Sequence, residues 1–155
     1  MKKIKGNLLE LFEDGFFDII AHGCNCIGVM GAGVAKQIAD KYPEALAADE
    51  AHEELFEHTF EQLGTFSVAT VDNDKRIYNL YTQPTPGKSF NFSAFRLAIK
   101  AMKSDLPAWH EQPQPKIGFP YIGCGLAGFE YPEIIEKVIA EELSEYDVYI
   151  VEYVA

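Results

Sequence analysis

Residues 22–38 read HGCNCIGVMGAGVAKQI, and they follow an apolar run, Phe16–Ala21, with the length and composition of a buried strand. The chain crosses Gly23, Gly28, Gly31 and Gly33 and then enters a helical pattern, Gly33–Lys41, that stops at Pro43. Glycines let backbone approach an oxyanion closely, and a helix N-terminus adds free N–H donors and a partial positive charge. The stretch lacks the Gly-Lys-Ser/Thr ending of a Walker loop. It also lacks the G-x-G-x-x-G fingerprint followed by an acidic residue about 20 positions on. On these residues alone, a tight turn and an anion site remain equally open.

A second stretch repeats the arrangement. Residues 119–134 read FPYIGCGLAGFEYPEI: a short strand, Lys116–Phe119, then Gly123, Gly125 and Gly128, then a helix with proline at its first turn, Pro132–Leu143. Two such loops at one end of a sheet can clamp a diphosphate from both sides with backbone donors. Further strands are expected at Lys2–Gly6, Phe66–Val71, Arg76–Tyr81 and Val148–Val154. Helices are expected at Glu44–Gln62, with Leu46, Leu55, Phe56 and Phe60 near one side, and at Phe92–Leu106, with a core stripe of Phe92, Phe95, Ile99 and Met102. Alternating strands and helices predict a three-layer α/β fold with a mostly parallel sheet, formed by residues 1–155 as one domain. Ligands of such sheets sit beyond the carboxyl ends of the strands.

Composition narrows the function. With 13 Lys+Arg against 24 Asp+Glu the net charge is −11, which excludes a general nucleic-acid coat. The chain has no run of about 18 apolar residues, and its start, MKKIKGNLLE, alternates charged and apolar residues; the expectation is a cytoplasmic protein without a membrane partner. Three cysteines, Cys24, Cys26 and Cys124, suit a reducing compartment better than a disulfide framework. The acidic stretch Glu50–Glu61, with His52 and His58, reads as the solvated side of a helix, VDNDKR at residues 71–76 as a hairpin turn, and Trp109 as a cap on the core or a surface contact.

KGNLL at Lys5–Leu9, AHGCNCIGVMGAGVAKQI at Ala21–Ile38 and PYIGCGL at Pro120–Leu126 together resemble a macro domain, the ADP-ribose-binding module, over essentially the whole chain. The likeness is greatest to the branch holding the yeast-type ADP-ribose-1''-phosphate phosphatases and the terminal ADP-ribose protein glycohydrolases. The resemblance implies a six-stranded mixed sheet between helices and ADP-ribose in a cleft across both loops. It places Asn25 on the distal ribose hydroxyls, Gly31, Ala32, Gly33 and Val34 on the diphosphate, and Gly123, Cys124, Gly125 and Leu126 on its other side. Asn7 stands where many members carry an Asp that accepts from the adenine amine, and an Asn carbonyl can still accept that proton. Tyr153 or Tyr149 falls where an aromatic stacks on adenine.

The glycohydrolase relatives use a Lys and an Asp at positions matching Gln83 and Ala127, and neither replacement can form an imine or act as an acid or base. Lys88, five residues past Gln83, reads as a solvated loop lysine. His22 is the candidate catalytic group for phosphate-ester cleavage, as base or nucleophile; the alternative is that it braces the first loop. No residue is identified as the general acid. Cys124 lacks the Arg of the C-x-x-x-x-x-R phosphatase loop, and Cys24, Cys26, Cys124 and His22 have a C-x-C spacing tighter than zinc sites use, so neither a cysteine nucleophile nor a metal or cofactor is expected. The expected function is ADP-ribose binding with hydrolysis of ADP-ribose-1''-phosphate. The alternatives are a non-catalytic reader of ADP-ribose or ADP-ribosylated protein, and a de-ADP-ribosylating hydrolase.

Overall fold

The computed structural model describes residues 1–108 and 110–154, so Trp109 lies outside the described residues. The strands are β1 (Lys2–Gly6), β2 (Ile19–Asn25), β3 (Phe66–Val71), β4 (Lys75–Gln83), β5 (Lys116–Phe119) and β6 (Asp147–Tyr153). The helices are α1 (Leu8–Glu13), α2 (Gly33–Lys41), α3 (Pro43–Glu53), α4 (Phe92–Asp105) and α5 (Pro132–Glu142). One six-stranded sheet runs in the order β1-β6-β5-β2-β4-β3. Its pairs are parallel except for β3 with β4, whose antiparallel hairpin turns at Asp72–Asp74, all three with positive φ. The fold is α/β with a mixed sheet between helical layers.

Alternation along β2 divides the core. Ile19 and Ala21 face the cluster built with Phe95, Ile99 and Met102 of α4 and Ile135 and Ile139 of α5. Ile20 faces the other way, toward Phe12, Ile38 and Ala45 on α1, α2 and α3. With a side-chain period of two, His22 and Cys24 fall on the α2–α3 side, whereas Gly23 falls on the α4 side. β2 and β5 run side by side in parallel and end at the two glycine loops, which brings those loops to one edge of the sheet.

Three elements differ from the sequence expectation. The long helix expected over Glu44–Gln62 ends at Glu53 and is followed by a single 3₁₀ turn, Thr59–Gln62. Leu55 and Phe60 are therefore 77% and 54% exposed rather than on a buried face. The break turns Gln62 back toward the first loop, where its Nε2 donates to Cys26 O at 2.8 Å, so a tertiary contact overrides local helix propensity. The strand expected at Phe16–Ala21 begins at Ile19 and runs on to Asn25, because β4 continues alongside it as far as Gln83. Phe17, buried, instead lays its ring over Gly118 of β5. Finally, Leu8–Glu13 forms a six-residue helix that is too short to show a hydrophobic period; Asn7 caps it by accepting from Glu10 N–H at 3.1 Å.

Candidate functional site

The carboxyl ends of β2, β4 and β5 open into a cleft of about 520 Å³. Its walls are His22–Asn25 with Val29 and Gly31–Ala35 from the first loop, Gln83, Pro86 and Gly87 after β4, and Pro120–Gly123 with Gly125–Ala127 from the second loop. The structure thus brings together His22, Asn25, Gly31, Ala32, Gly33, Val34, Gly123, Gly125 and Leu126. Four other residues singled out in the sequence are not on its walls. Asn7 borders a separate surface groove with Gln37 and Lys41. Tyr153 is 65% exposed at the end of β6, and Cys124 points its thiol at Ile122 O, 3.7 Å away. Tyr149 is buried among Phe16 and Phe17, which removes it from any adenine site.

Among the described residues no lysine or arginine lines the cleft. Its anion-binding capacity lies in backbone. Helix α2 starts at Ala32–Gly33, and Ala32 provides no side-chain cap, whereas α1 and α4 are capped by Asn7 and Asn91. The first intrahelical bond shown for α2 is Lys36 N–H to Ala32 O at 3.2 Å, so the N–H groups of the first turn have no partner within the helix. The residues of that turn line the cleft, at the positive end of the helix dipole. Gly33 holds φ +59° with open space where a Cβ would stand, and Gly125 is also open on that side.

Side chains fix the first loop. Asn25 Nδ2 donates to Val29 O at 2.8 Å, and Asn25 Oδ1 accepts from Ile27 N–H at 3.1 Å. One amide hydrogen and one lone pair of Asn25 remain for a ligand. Gln83 spends its amide donors on Thr85 O and Gly87 O, at 2.9 and 3.1 Å, and so shapes the loop after β4. Lys88 is exposed and lays its stem against Gly128.

His22 is 1% exposed. Nε2 lies 2.7 Å from Asn79 Oδ1, and Cys24 Sγ lies 3.9 Å from Nδ1. Burial pushes His22 down from 6.5 to about 4, only partly opposed by the Asn79 hydrogen bond, so the ring is neutral at pH 7. Burial and the nearby Asp49 carboxyl push Cys24 up, so it stays a thiol. Burial raises Cys124 as well, with Glu133 adding to it, and this removes the thiolate that nucleophilic chemistry needs. Among the described residues no group of three or more His, Cys, Asp or Glu could hold a metal ion.

Sequence reading missed two parts of the site. The helical pattern Glu44–Gln62 puts Gln62 at the end of a continuous helix, yet it supports the first loop through Cys26 O. Asn79 is the other, and its signal is a polar residue inside the apolar strand IYNLYT.

The profile of the family described as Macro domain matches residues 21–138. The "Uncharacterized 17.5 kDa protein in tk-vs intergenic region" of Enterobacteria phage T4 is 33% identical over 156 residues, covering 99% of this chain and 96% of that protein. The ADP-ribose 1''-phosphate phosphatase of Aspergillus oryzae is 37% identical over 65 residues, 42% of this chain and 31% of the enzyme. The DNA ADP-ribosyl glycohydrolase of Mycobacterium tuberculosis is 23% identical over 138 residues, 87% of this chain and 36% of the enzyme. The matches thus span about a third of either enzyme. A solved protein of unknown function from Bacteroides thetaiotaomicron superposes with a TM-score of 0.81 at 27% identity, covering 99% of this chain and 97% of its own.

Proposed function

The chain belongs to the macro domain family, and from that premise we propose that its cleft binds ADP-ribose and that its reaction is the hydrolysis of ADP-ribose-1''-phosphate to ADP-ribose and phosphate. The observation that carries the binding is the uncapped first turn of α2 opening on the cleft across from Gly125. A diphosphate there meets backbone donors from both loops, which lets a chain of net charge −11 hold an anion without a basic side chain.

In the hydrolysis, water oxygen bonds to phosphorus, the bond from phosphorus to the ribose oxygen breaks, and a water proton ends on the departing oxygen. His22 supports this reading as an imidazole in the cleft wall that is unprotonated at pH 7, the state a base or nucleophile needs. The phosphatase relative points to the same chemistry. Gln83 and Ala127, both on the cleft wall, leave it without the lysine and aspartate of glycohydrolase chemistry.

A second reading, a reader of ADP-ribose or ADP-ribosylated protein, draws on the burial of His22. A ring 1% exposed, held near pKa 4 and already bonded through Nε2 is a weak base and a sound brace. Incubation with ADP-ribose-1''-phosphate and with ADP-ribosylated protein separates these readings. Phosphate release, lowered by about 10²-fold or more in His22→Ala with ADP-ribose affinity retained, is the expected result for the phosphatase. ADP-ribose binding without either release establishes the reader. ADP-ribose release from the modified protein establishes a de-ADP-ribosylating hydrolase.

A further inference from the structure

Beneath the first loop, five polar side chains that are far apart in sequence form one continuous hydrogen-bonded line in the core. His22 Nε2 meets Asn79 Oδ1 at 2.7 Å, and Asn79 Nδ2 reaches both Ala45 O and Ser67 Oγ at 3.0 Å. Ser67 Oγ lies 2.8 Å from Tyr81 Oη, which lies 2.7 Å from Asp49 Oδ1. Each of the five is at most 8% exposed, so no water competes for these groups from outside. Strand register makes the line possible, since His22 and Ser67 both pair with Asn79 from opposite sides of β4.

Donor counting fixes the direction of every bond. Ala45 O can only accept, so the Asn79 atom facing it is the NH₂, and Oδ1 is turned to His22. An amide oxygen only accepts, so Nε2 must donate. Tyr81 gives its single hydroxyl hydrogen to Asp49, so Ser67 donates to Tyr81. All the bonds therefore point the same way, from the imidazole to a buried carboxyl. Aligned bonds polarise one another, and each step makes the next donor stronger.

We propose that Asn79 is a positioning residue that locks His22 as the Nε2–H tautomer, with Ala45 O, Ser67, Tyr81 and Asp49 holding the Asn79 amide in the one orientation that does so. The lone pair of the imidazole is thereby assigned to Nδ1, whose neighbour is the Cys24 thiol at 3.9 Å. Ring and lone pair are set before any ligand arrives. The consequence for turnover rests on the phosphatase reading above; the tautomer does not.

Long-range proton–nitrogen NMR at pH 7 reads the tautomer directly, and steady-state phosphate release from ADP-ribose-1''-phosphate reads the consequence. In the wild type, Nε2 is expected protonated and Nδ1 bare. Asn79→Thr suits a β-strand and keeps a polar group, but its hydroxyl can donate as well as accept. A mixture of tautomers is expected there, with phosphate release at saturating substrate falling about tenfold or more while ADP-ribose affinity changes by less than about twofold. A merely structural role would lower thermal stability without moving the nitrogen spectrum. Protonated Nδ1 in the wild type overturns the proposal whatever the turnover, and so does an unmixed Nε2–H spectrum in a folded Asn79→Thr variant. Should that variant not fold, the wild-type spectrum alone decides. A wild type with the Nε2–H tautomer and no phosphate release upholds the positioning role and refutes the phosphatase reading.

Discussion

The two glycine loops face each other across the cleft but are held by different means. The first is fixed by side chains: Asn25 bonds to Val29 and Ile27, and Gln62 reaches Cys26 O. The second is fixed by its own backbone, with Cys124 N–H to Tyr121 O at 3.2 Å, Gly128 N–H to Gly125 O at 3.1 Å and Phe129 N–H to Gly123 O at 2.8 Å. Their glycines divide otherwise, within the second loop as well as between the two. Gly33 and Gly125 have nothing within 4 Å of a notional Cβ, whereas Gly123, at φ +82°, has the Phe90 ring 2.5 Å from that position. Gly33 and Gly125 leave open space. Gly123 makes room for an aromatic ring.

That contrast separates binding from folding in mutants. Gly125→Glu and Gly33→Glu put a carboxylate where a diphosphate is expected, and each should lower ADP-ribose affinity by about a thousandfold, roughly 4 kcal/mol, with cooperative unfolding kept; Gly33→Glu also loses about 1–2 kcal/mol of stability to its left-handed backbone. Calorimetry and denaturant melts on the same samples check this; normal binding in either variant makes that loop a simple turn. Gly123→Ala should do the reverse. Left-handed backbone and overpacking against Phe90 together cost about 3 kcal/mol, read as a lower denaturant midpoint with unchanged slope. A melt equal to wild type would show that Phe90 moves aside freely.

A smaller effect is expected from pH, because the first loop rests on a titratable core and the second does not. The unfolded chain protonates His22 below 6.5, but the fold resists protonation until about 4. The unfolded state therefore binds more protons in that window. Stability present above pH 6.5 is lost as pH falls toward 4, by up to about 3 kcal/mol. Asp49, raised mainly by burial and also by Glu53 and Glu50, works in the opposite sense. It favours the fold when protonated and loses that contribution as pH rises through its folded-state pKa. His22→Asn removes the first effect and leaves the second, so its stability should fall less steeply than wild type between pH 6.5 and 4. Parallel curves would refute the burial-driven shift.

The smallest effect is expected at Asn25. Asn25→Ala frees Val29 O and Ile27 N–H in a half-exposed loop, which costs about 1 kcal/mol of stability. If Asn25 also holds the ribose hydroxyls, ADP-ribose affinity falls with it while AMP affinity does not. Equal losses for both ligands would confine Asn25 to the loop.

The sequence was most informative where local signals and packing agree. The α2 helix stops before Pro43, Pro132 starts α5, VDNDKR turns a hairpin, and of the stripe Phe92, Phe95, Ile99 and Met102 the last three are core while Phe92 packs against it partly buried. Both glycine loops reach the cleft as their shared strand-loop-helix pattern implies. What stayed hidden depends on strand register and chain reversal. Nothing within a few residues of His22 announces Asn79, 57 positions away, or Asp49 beyond it; only the pairing of β2, β4 and β3 brings them into line. Gln62 was hidden for a related reason, since its bond to Cys26 O exists only because the helix expected to continue past Glu53 stops there.

Titration of the purified protein with ADP-ribose, followed by heat and by competition, tests most directly whether the two loops form one ligand site. One molecule per chain, with a Kd in the micromolar range or about −8 kcal/mol, is expected, and AMP should bind more weakly because it lacks the distal phosphate and ribose. Absence of heat and of competition at millimolar ADP-ribose would contradict it and reduce both glycine loops to turns.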